Sequence, residues 1–252
     1  MNPDTQASSL QWSEENSQTF LDYGRYFVPE REQQIETICA LIPPRHEPFH
    51  VIELCCGEGL LAAGLLEQHT ASIVHGYDGS PEMLHAARQR LAAYGERFQA
   101  QLFDLASSSW RRPGLEIYAV VSSLAIHHLD GEQKQQLYRD LYSLLLPGGV
   151  LVIADVMLPA TALGAAVAAT AWDRAVQQRA HQLDGHLMAF AEFQRLGWNM
   201  YREPDPDDFD KPSRLLDQLR WLEAAGFTDV DVYWMLGGHA LFGGCKSTDH
   251  VR

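Results

Sequence analysis

Val51-Ile52-Glu53-Leu54-Cys55-Cys56-Gly57-Glu58-Gly59 is an apolar run that reaches an acid and then breaks into a glycine-rich turn. Such a run reads as a short buried strand. The glycines behind it let the backbone bend sharply and approach a ligand, because no Cβ stands in the way. Gly57-x-Gly59-x-x-Ala62 satisfies the dinucleotide fingerprint G-x-G-x-x-G/A, and Asp78 lies about 20 residues further on, where an acid meets a ribose hydroxyl. A ligand-free tight turn is the competing reading.

Glu53 tilts the choice between nucleotide ligands. A carboxylate beside the loop repels a pyrophosphate and attracts positive charge; S-adenosylmethionine carries a sulfonium and an ammonium and needs no phosphate site. The segment resembles motif I of class I methyltransferases, in which an acid precedes x-G-x-G-x-G. Cys55 stands at the place of the first glycine, so the loop must there adopt a φ open to cysteine.

Outward from this turn, strand and helix patterns alternate: strand 50 to 54, helix 59 to 69, strand 72 to 77, helix 81 to 94, strands 98 to 102 and 117 to 122, helix 131 to 146 and strand 150 to 155. This alternation predicts a parallel sheet with helices on both faces. Ser80 as N-cap and Pro81 at the first helical place fix one helix start, and Leu146-Pro147-Gly148-Gly149 turns the chain into the fifth strand. Ser213 reads as the cap of a helix to Ala225 with Gly226 behind it, and 228 to 236 and 239 to 242 alternate around Gly237-Gly238 as a hairpin.

The expected fold class is α/β: a seven-stranded, mostly parallel sheet with helices on both faces, a C-terminal antiparallel hairpin and a helical lid insertion. Residues 48–158 and 213–246 resemble the class I methyltransferase core, and a plain dinucleotide fold does not normally end in such a hairpin. Residues 160–212 form the lid: an Ala-rich helical stretch, a short helix near His186 to Leu196 and the acidic loop from Glu203 to Asp210. Residues 1–47 are a segment without apolar periodicity to about Gln18 and then a helix from Pro29 to Leu41, laid over the cofactor.

The carboxyl ends of parallel strands open on one edge, and ligands bind there. Glu53, Asp78 and Asp104 close three successive strands. The resemblance assigns the ribose hydroxyls to the acid of Tyr77-Asp78-Gly79-Ser80-Pro81 and the exocyclic amine of adenine to Asp104, with the backbone at Leu105 reading a ring nitrogen. Met83, one turn into the next helix, covers the adenine face or packs as a core methionine. Gly57, Gly59, Gly79 and Cys55 complete the loop side of this set.

Strand four continues into Val121-Ser122-Ser123-Leu124-Ala125-Ile126-His127-His128-Leu129-Asp130, which is similar to motif IV, where methyl and acceptor face one another. Ser123 joins the cofactor contacts. His127 or His128, titrating near neutral pH, is the candidate base, with a structural role in the turn as the competing one. Methyl transfer is an in-line displacement, so alignment and exclusion of water supply rate without a dedicated base. Upstream, the rings of Tyr23 and Tyr26 are set to shield the sulfonium and Arg25 to meet the cofactor carboxylate, or the three staple the following helix. Acceptor contacts are expected from Trp172, Trp198 and Tyr201 in the lid and from His239 in the hairpin, against packing inside the lid.

With 19 lysines and arginines against 33 acids, the net charge of −14 leaves no basic stripe for nucleic acid. A small-molecule acceptor fits better. No apolar run is long enough to span a bilayer, so neither membrane nor leader is expected and the protein reads as cytoplasmic, with a homodimer left open. Cys39, Cys55, Cys56 and Cys245 lack C-x-x-C spacing; reduced thiols and no metal are expected. The function read here is S-adenosylmethionine-dependent methyl transfer to a small acceptor. Its rivals are a carboxylated-cofactor variant of the family, an NAD(P)-dependent oxidoreductase and a non-catalytic cofactor-binding protein.

Overall fold

In the computed structural model, which describes residues 13–112, 114–202 and 209–248, the chain begins with α1 (Glu14–Phe27) and α2 (Arg31–Ala40). Strands and helices follow as β1 (Phe49–Leu54), α3 (Leu60–Gln68), β2 (Ser72–Asp78), α4 (Pro81–Arg90), β3 (Phe98–Leu102), β4 (Ile117–Ser123), α5 (Gly131–Leu144) and β5 (Leu145–Val156). An insertion contributes α6 (Ala162–Asp184) and α7 (Met188–Arg195), and the chain closes with α8 (Leu215–Ala225), β6 (Thr228–Leu236) and β7 (His239–Cys245). Of the expected features, residues 1–12 of the N-terminal segment and 203–208 of the acidic loop lie outside the described residues.

The seven strands stand in the order β3-β2-β1-β4-β5-β7-β6. β7 runs antiparallel to both neighbours and the other six share one direction. The order reverses between β1 and β4, and at such a switch point a crevice opens beyond the carboxyl ends of the strands. Glu53 ends β1 at this reversal, opposite Gly76 of β2 and Val121 of β4.

Alternate side chains of the central strands feed two cores, as the period of two requires. Ile52, Leu54, Val120 and Ile153 pack toward Leu137 and Leu141 of α5 and Leu222 of α8. Val51, Val121 and Val152 pack toward Ile38 of α2 and Leu61 and Leu65 of α3. Each fully buried aliphatic side chain contributes about 1.5–3 kcal/mol, which fixes the sheet on which the strand ends are displayed. A third cluster joins Tyr26 and Phe27 of α1 to Trp172 and Val176 of α6 and Phe193 of α7, so the first helix packs with the insertion.

Three local expectations change. The stretch before Gln18, read as unpatterned, is helical from Glu14: the Ser13 hydroxyl accepts the Asn16 N–H at 3.1 Å, and Glu14 and Glu15 sit at the positive end of the helix. Ser213 does not cap α8, whose N-cap is Arg214; its hydroxyl accepts instead from the fully buried ammonium of Lys134 at 2.9 Å. That ammonium also donates to the Lys211 carbonyl, pinning residues 211–213 to α5. β5 starts at Leu145 rather than after the Pro147-Gly148-Gly149 turn, because Gly148 and Gly149 already exchange backbone hydrogen bonds with Lys246 at 2.7 and 2.8 Å.

Candidate active site

The loop after β1 takes positive φ at Cys55 (54°), Gly57 (54°) and Gly59 (79°). Cys55 thus adopts the backbone that glycine supplies more easily, at about 1–2 kcal/mol for a residue with a Cβ. Gly59 is needed for packing as well, since a Cβ there would lie 2.9 Å from Leu91 and 3.3 Å from Ala87. The loop is tied to β2. The Cys56 N–H donates to the Tyr77 carbonyl at 2.9 Å, and the Gly57 N–H donates to Asp78 Oδ2 at 2.8 Å. Asp78 Oδ1 accepts from Ser80 N–H at 2.9 Å across Gly79. Burial raises the Asp78 pKa while the amides of Ser80 and Gly57 hold it down, and each oxygen retains a further acceptor site. Met83 is buried beneath this loop, with its sulfur 3.9 Å from where a Gly57 Cβ would stand.

Glu53 is 2% exposed, and its Oε2 has no hydrogen-bond partner among the described residues. Burial first, and then the Asp78 charge, push its pKa well above the usual carboxylate range, with Arg31 pulling the other way. Arg31 opens α2; its Nη1 is 3.6 Å from Glu58 Oε1, and its guanidinium carbon is 5.1 Å from the centre of the Phe20 ring. That Nη1 is also buried and makes no hydrogen bond among the described residues. Glu53 Oε2 and Arg31 Nη1 are thus two buried polar atoms without a hydrogen bond among the described residues.

Arg25, expected at this place, is exposed: its guanidinium bonds the Tyr26 hydroxyl, and its carbonyl accepts from Arg179. Tyr26 is buried in the α1–insertion cluster, and Tyr23 stacks on Phe27 at 5.5 Å. Tyr23 and Tyr26 thus pack in the cluster that joins α1 to the insertion, and Arg31 of α2 is close enough for its charge to act on Glu53. Asp104 lies exposed at the end of β3, with Oδ1 accepting the Ala106 N–H at 2.9 Å over the buried Leu105. Burial drives the Cys55 thiol pKa well up, and Asp78, Asp155, Glu53 and Asp104 all add to the rise. The charges of four strand-end acids are thus felt at one thiol.

Beyond Ser123, the last residue of β4, Leu124 takes φ 55° and donates its N–H to Ala154 at 2.8 Å. A non-glycine residue in this region is strained, and such strain gathers at functional sites. The turn delivers His127, whose Nδ1–H donates to Asp155 Oδ1 at 2.5 Å. Asp155, 1% exposed at the end of β5, also accepts the Val156 N–H at 2.9 Å. On the other side, Asp210 Oδ1 stands 3.4 Å from His127 Nε2 and 2.9 Å from His128 Nδ1. Burial alone would lower the His127 pKa, but Asp155 and then Asp210 override it and raise it to about 10. Burial and the neighbouring His127 charge lower His128 to about 4. The pair carries one positive charge, on His127.

The sequence spacing showed no metal-ligand set, yet His127, His128 and Asp210 bring ligand-type atoms within 4.8 Å of one another. Asp210 lies far along the chain from the two adjacent histidines, so no local spacing announces the group. Asp155 and Asp210, like Arg31, escaped the sequence reading. Asp155 was findable: it closes Val150-Leu151-Val152-Ile153-Ala154-Asp155 as acids close the first three strands.

Next to these histidines, a cavity of about 290 Å³ lies between α1, the ends of β4 and β5, and the insertion. Phe20, Phe27, Trp172, Trp198 and Phe209 supply its aromatic walls, and Glu15, Asn16, Thr19, His127, Asp210 and His239 its polar groups. Trp172 donates its indole N–H to the Phe27 carbonyl at 2.7 Å and meets the His239 ring edge-on at 4.6 Å. His239, which a hairpin turn would normally expose, is 1% exposed; its Nδ1 is 3.1 Å from the Gly237 carbonyl, and burial lowers its pKa to about 4. Tyr201 does not line the cavity. Its hydroxyl lies 2.8 Å from the Met157 carbonyl oxygen and 3.0 Å from that of Gly238, where only glycine leaves room for the ring.

Residues 51–149 match the family described as methyltransferase domain. Trans-aconitate 2-methyltransferase from Paracidovorax citrulli (strain AAC00-1) is 33% identical over 129 residues, 51% of this chain and 46% of that protein. The enzyme of the same name from Delftia acidovorans (strain DSM 14801 / SPH-1) is 33% identical over 128 residues, 50% of this chain and 45% of its own. The chain thus spans less than half the length of the curated relatives it matches. An O-methyltransferase family protein from Burkholderia thailandensis superposes with a TM-score of 0.64 at 17% identity, over 94% of this chain and 61% of that one. Phosphoethanolamine N-methyltransferase 2 of Haemonchus contortus, in complex with S-adenosyl-L-methionine, gives 0.61 at 15%, over 94% and 59%. No helix among the described residues is long and apolar enough to cross a membrane.

Proposed function

We propose that this chain, which has the class I methyltransferase fold and carries a methyltransferase domain over residues 51–149, binds S-adenosylmethionine and passes its methyl group to a small molecule. The observation that carries the reading is the burial of Glu53, Asp78 and Asp155 at the carboxyl edge of the sheet beside its switch point, with Asp78 tied to the glycine loop. Three buried acids in a low-dielectric crevice favour a cation and oppose a pyrophosphate, which sets the reading against a nicotinamide dinucleotide.

The residues present fit the group. Glu53 Oε2 and Arg31 Nη1, each buried without a partner, would take the ammonium and carboxylate of the amino-acid end. Asp78 would receive ribose hydroxyls on its remaining acceptor sites, and Asp104 with the Leu105 backbone would meet the adenine edge. When bound, S-adenosylmethionine supplies an electrophilic methyl on a positively charged sulfur. Alignment of acceptor and methyl falls to the walls of the cavity, and α1 with the insertion keeps water out.

His127, held by Asp155 through Nδ1–H, lines the cavity as a charged ring whose Nε2–H would donate to the acceptor atom, and Asp210 beside it would take the proton. A carboxylated cofactor would need a basic side chain near the methyl, and among the described residues no lysine or arginine lines the cavity. A cytoplasmic setting and a homodimer belong to the same reading; exposed Leu163 and Val167 on α6 offer an apolar face for the latter.

Calorimetry with S-adenosylhomocysteine and with NADH tests the assignment. Heat is expected with the first, at micromolar affinity, and none with the second; heat with NADH alone overturns it.

A further inference from the structure

Resting on that methyl-transfer reading, we infer that the acceptor is an uncharged aromatic alcohol of one or two rings, not a carboxylate like the acid named by the sequence relatives. The cavity decides this by size, walls and polarity. At about 290 Å³ it is roughly twice the about 150 Å³ cavity that admits benzene, so it takes a fused pair of rings. Five aromatic side chains wall it, and aromatic rings pack well against them in edge-on or offset geometry.

The polar lining asks for a ligand that donates hydrogen bonds. His239 spends its Nδ1–H on the Gly237 carbonyl, which leaves Nε2 as an acceptor toward the cavity. Asp210 and Glu15 are acceptors too, and no lysine or arginine among the described residues lines the space to pair with a carboxylate or phosphate. An anionic acceptor entering here would lose its water beside Asp210 and Glu15, and the one cation of the lining, the His127 ring, is already balanced by Asp155 and Asp210.

A cationic amine satisfies the carboxylates but not the group nearest β4. That group is the His127 ring, which Asp155 and Asp210 together favour in its charged form. An ammonium would meet a ring of its own sign, whereas a hydroxyl matches it. The hydroxyl oxygen accepts from the charged ring's Nε2–H while its own O–H donates to Asp210, so an alcohol meets both groups where a carboxylate or an ammonium meets only one. That oxygen forms the new C–O bond as the C–S pair leaves on the thioether sulfur, and the O–H proton passes to the Asp210 carboxylate, with the His127 Nδ1–H still held by Asp155.

Protein saturated with S-adenosylhomocysteine is titrated with 2-naphthol, 2-naphthoate and 2-naphthylmethylamine, which share one ring system and differ in head-group charge. Trans-aconitate serves as a second anion. 2-Naphthol is expected to bind at least about a hundredfold tighter than 2-naphthoate, the penalty of a like charge at close range with an effective dielectric of about 20. Asp210→Asn is expected to narrow that ratio about tenfold, and Trp198→Ala to weaken 2-naphthol with S-adenosylhomocysteine affinity intact. With S-adenosylmethionine present, only 2-naphthol should yield a methyl ether. Equal or tighter binding of 2-naphthoate, trans-aconitate or the amine, or no binding of 2-naphthol, overturns the inference while cofactor binding stands; loss of cofactor binding itself defeats the methyl-transfer reading instead.

Discussion

The two halves of the switch-point edge are built on different principles. At the ends of β2 and β3, acids are held by backbone amides: Asp78 takes N–H groups from Ser80 and from Gly57 of the loop after β1, and Asp104 takes one from Ala106. At the ends of β4 and β5, the groups are rings held by distant side chains: His127 by Asp155 and Asp210, and Trp172 by the Phe27 carbonyl. The first half is a local fold of the chain that receives one kind of ligand. The second is assembled from α1, the insertion and the sheet, and its shape depends on all three. Changes confined to one half should therefore leave the other intact.

The largest separation is expected from His127→Asn. Removing one preorganised donor at the reacting atom costs about 10²–10³ in rate, so kcat should fall roughly several hundredfold with S-adenosylhomocysteine affinity unchanged. The same variant should alter the pH dependence of stability. The folded His127 pKa of about 10 lies above the ordinary value near 6.5, so its stabilisation is full below about pH 6.5 and fades as pH rises through about 10. On the acid side, His128 and His239, lowered to about 4, contribute fully above about pH 6.5 and lose their contribution as pH falls toward 4. Urea denaturation across pH 4–10 should show the alkaline decline in the wild type and its absence in His127→Asn, with the acid decline kept. A parallel loss of cofactor affinity would mean that the two halves act as one.

Asp78→Ala is the counterpart on the other half. It leaves the Gly57 and Ser80 amides without their acceptor. Hydrogen bonds to a charged group contribute about 1.5–3 kcal/mol each, so a loss of about 3 kcal/mol, roughly two decades of S-adenosylhomocysteine affinity, is expected. The alkaline decline assigned to His127 should persist. If it disappears, the loop supports the histidines and the contrast between the halves is wrong.

The same contrast explains what could be read from the chain. β1 with its glycine turn, the Ser80-Pro81 helix start and the alternation into a hairpin around Gly237-Gly238 are short-range patterns, and the sheet they predict is the sheet that forms. Asp155 obeyed the rule that picked out Glu53, Asp78 and Asp104, and needed only its extension to the fifth strand. Arg31 was hidden because its guanidinium reaches Glu58 and Glu53 only once α2 lies across α3. Asp210 was hidden because Lys134, buried in α5, fixes the backbone just after it. The packing of Tyr26 was not legible because an aromatic–basic cluster upstream of the loop has no local sign showing which side of α1 meets the insertion.

The smallest effect is expected at the one place where the loop departs from glycine. Cys55→Gly relieves left-handed backbone strain of about 1–2 kcal/mol. It also frees the unfolded chain, at about 0.4–1 kcal/mol, and strips a thiol that packs against the core under Leu54 and Phe103. These terms oppose one another, so thermal or urea stability should move by no more than about 1 kcal/mol, and S-adenosylhomocysteine affinity by less than about threefold. Cys55→Val is the control: a β-branched side chain at φ 54° adds strain with no relief and should cost more than about 2 kcal/mol. If glycine instead stabilises the protein by more than that and weakens ligand binding together, the cysteine is holding the loop in a tense shape that the ligand uses. The cofactor half would then depend on strain, as Leu124 at φ 55° already suggests for the acceptor half.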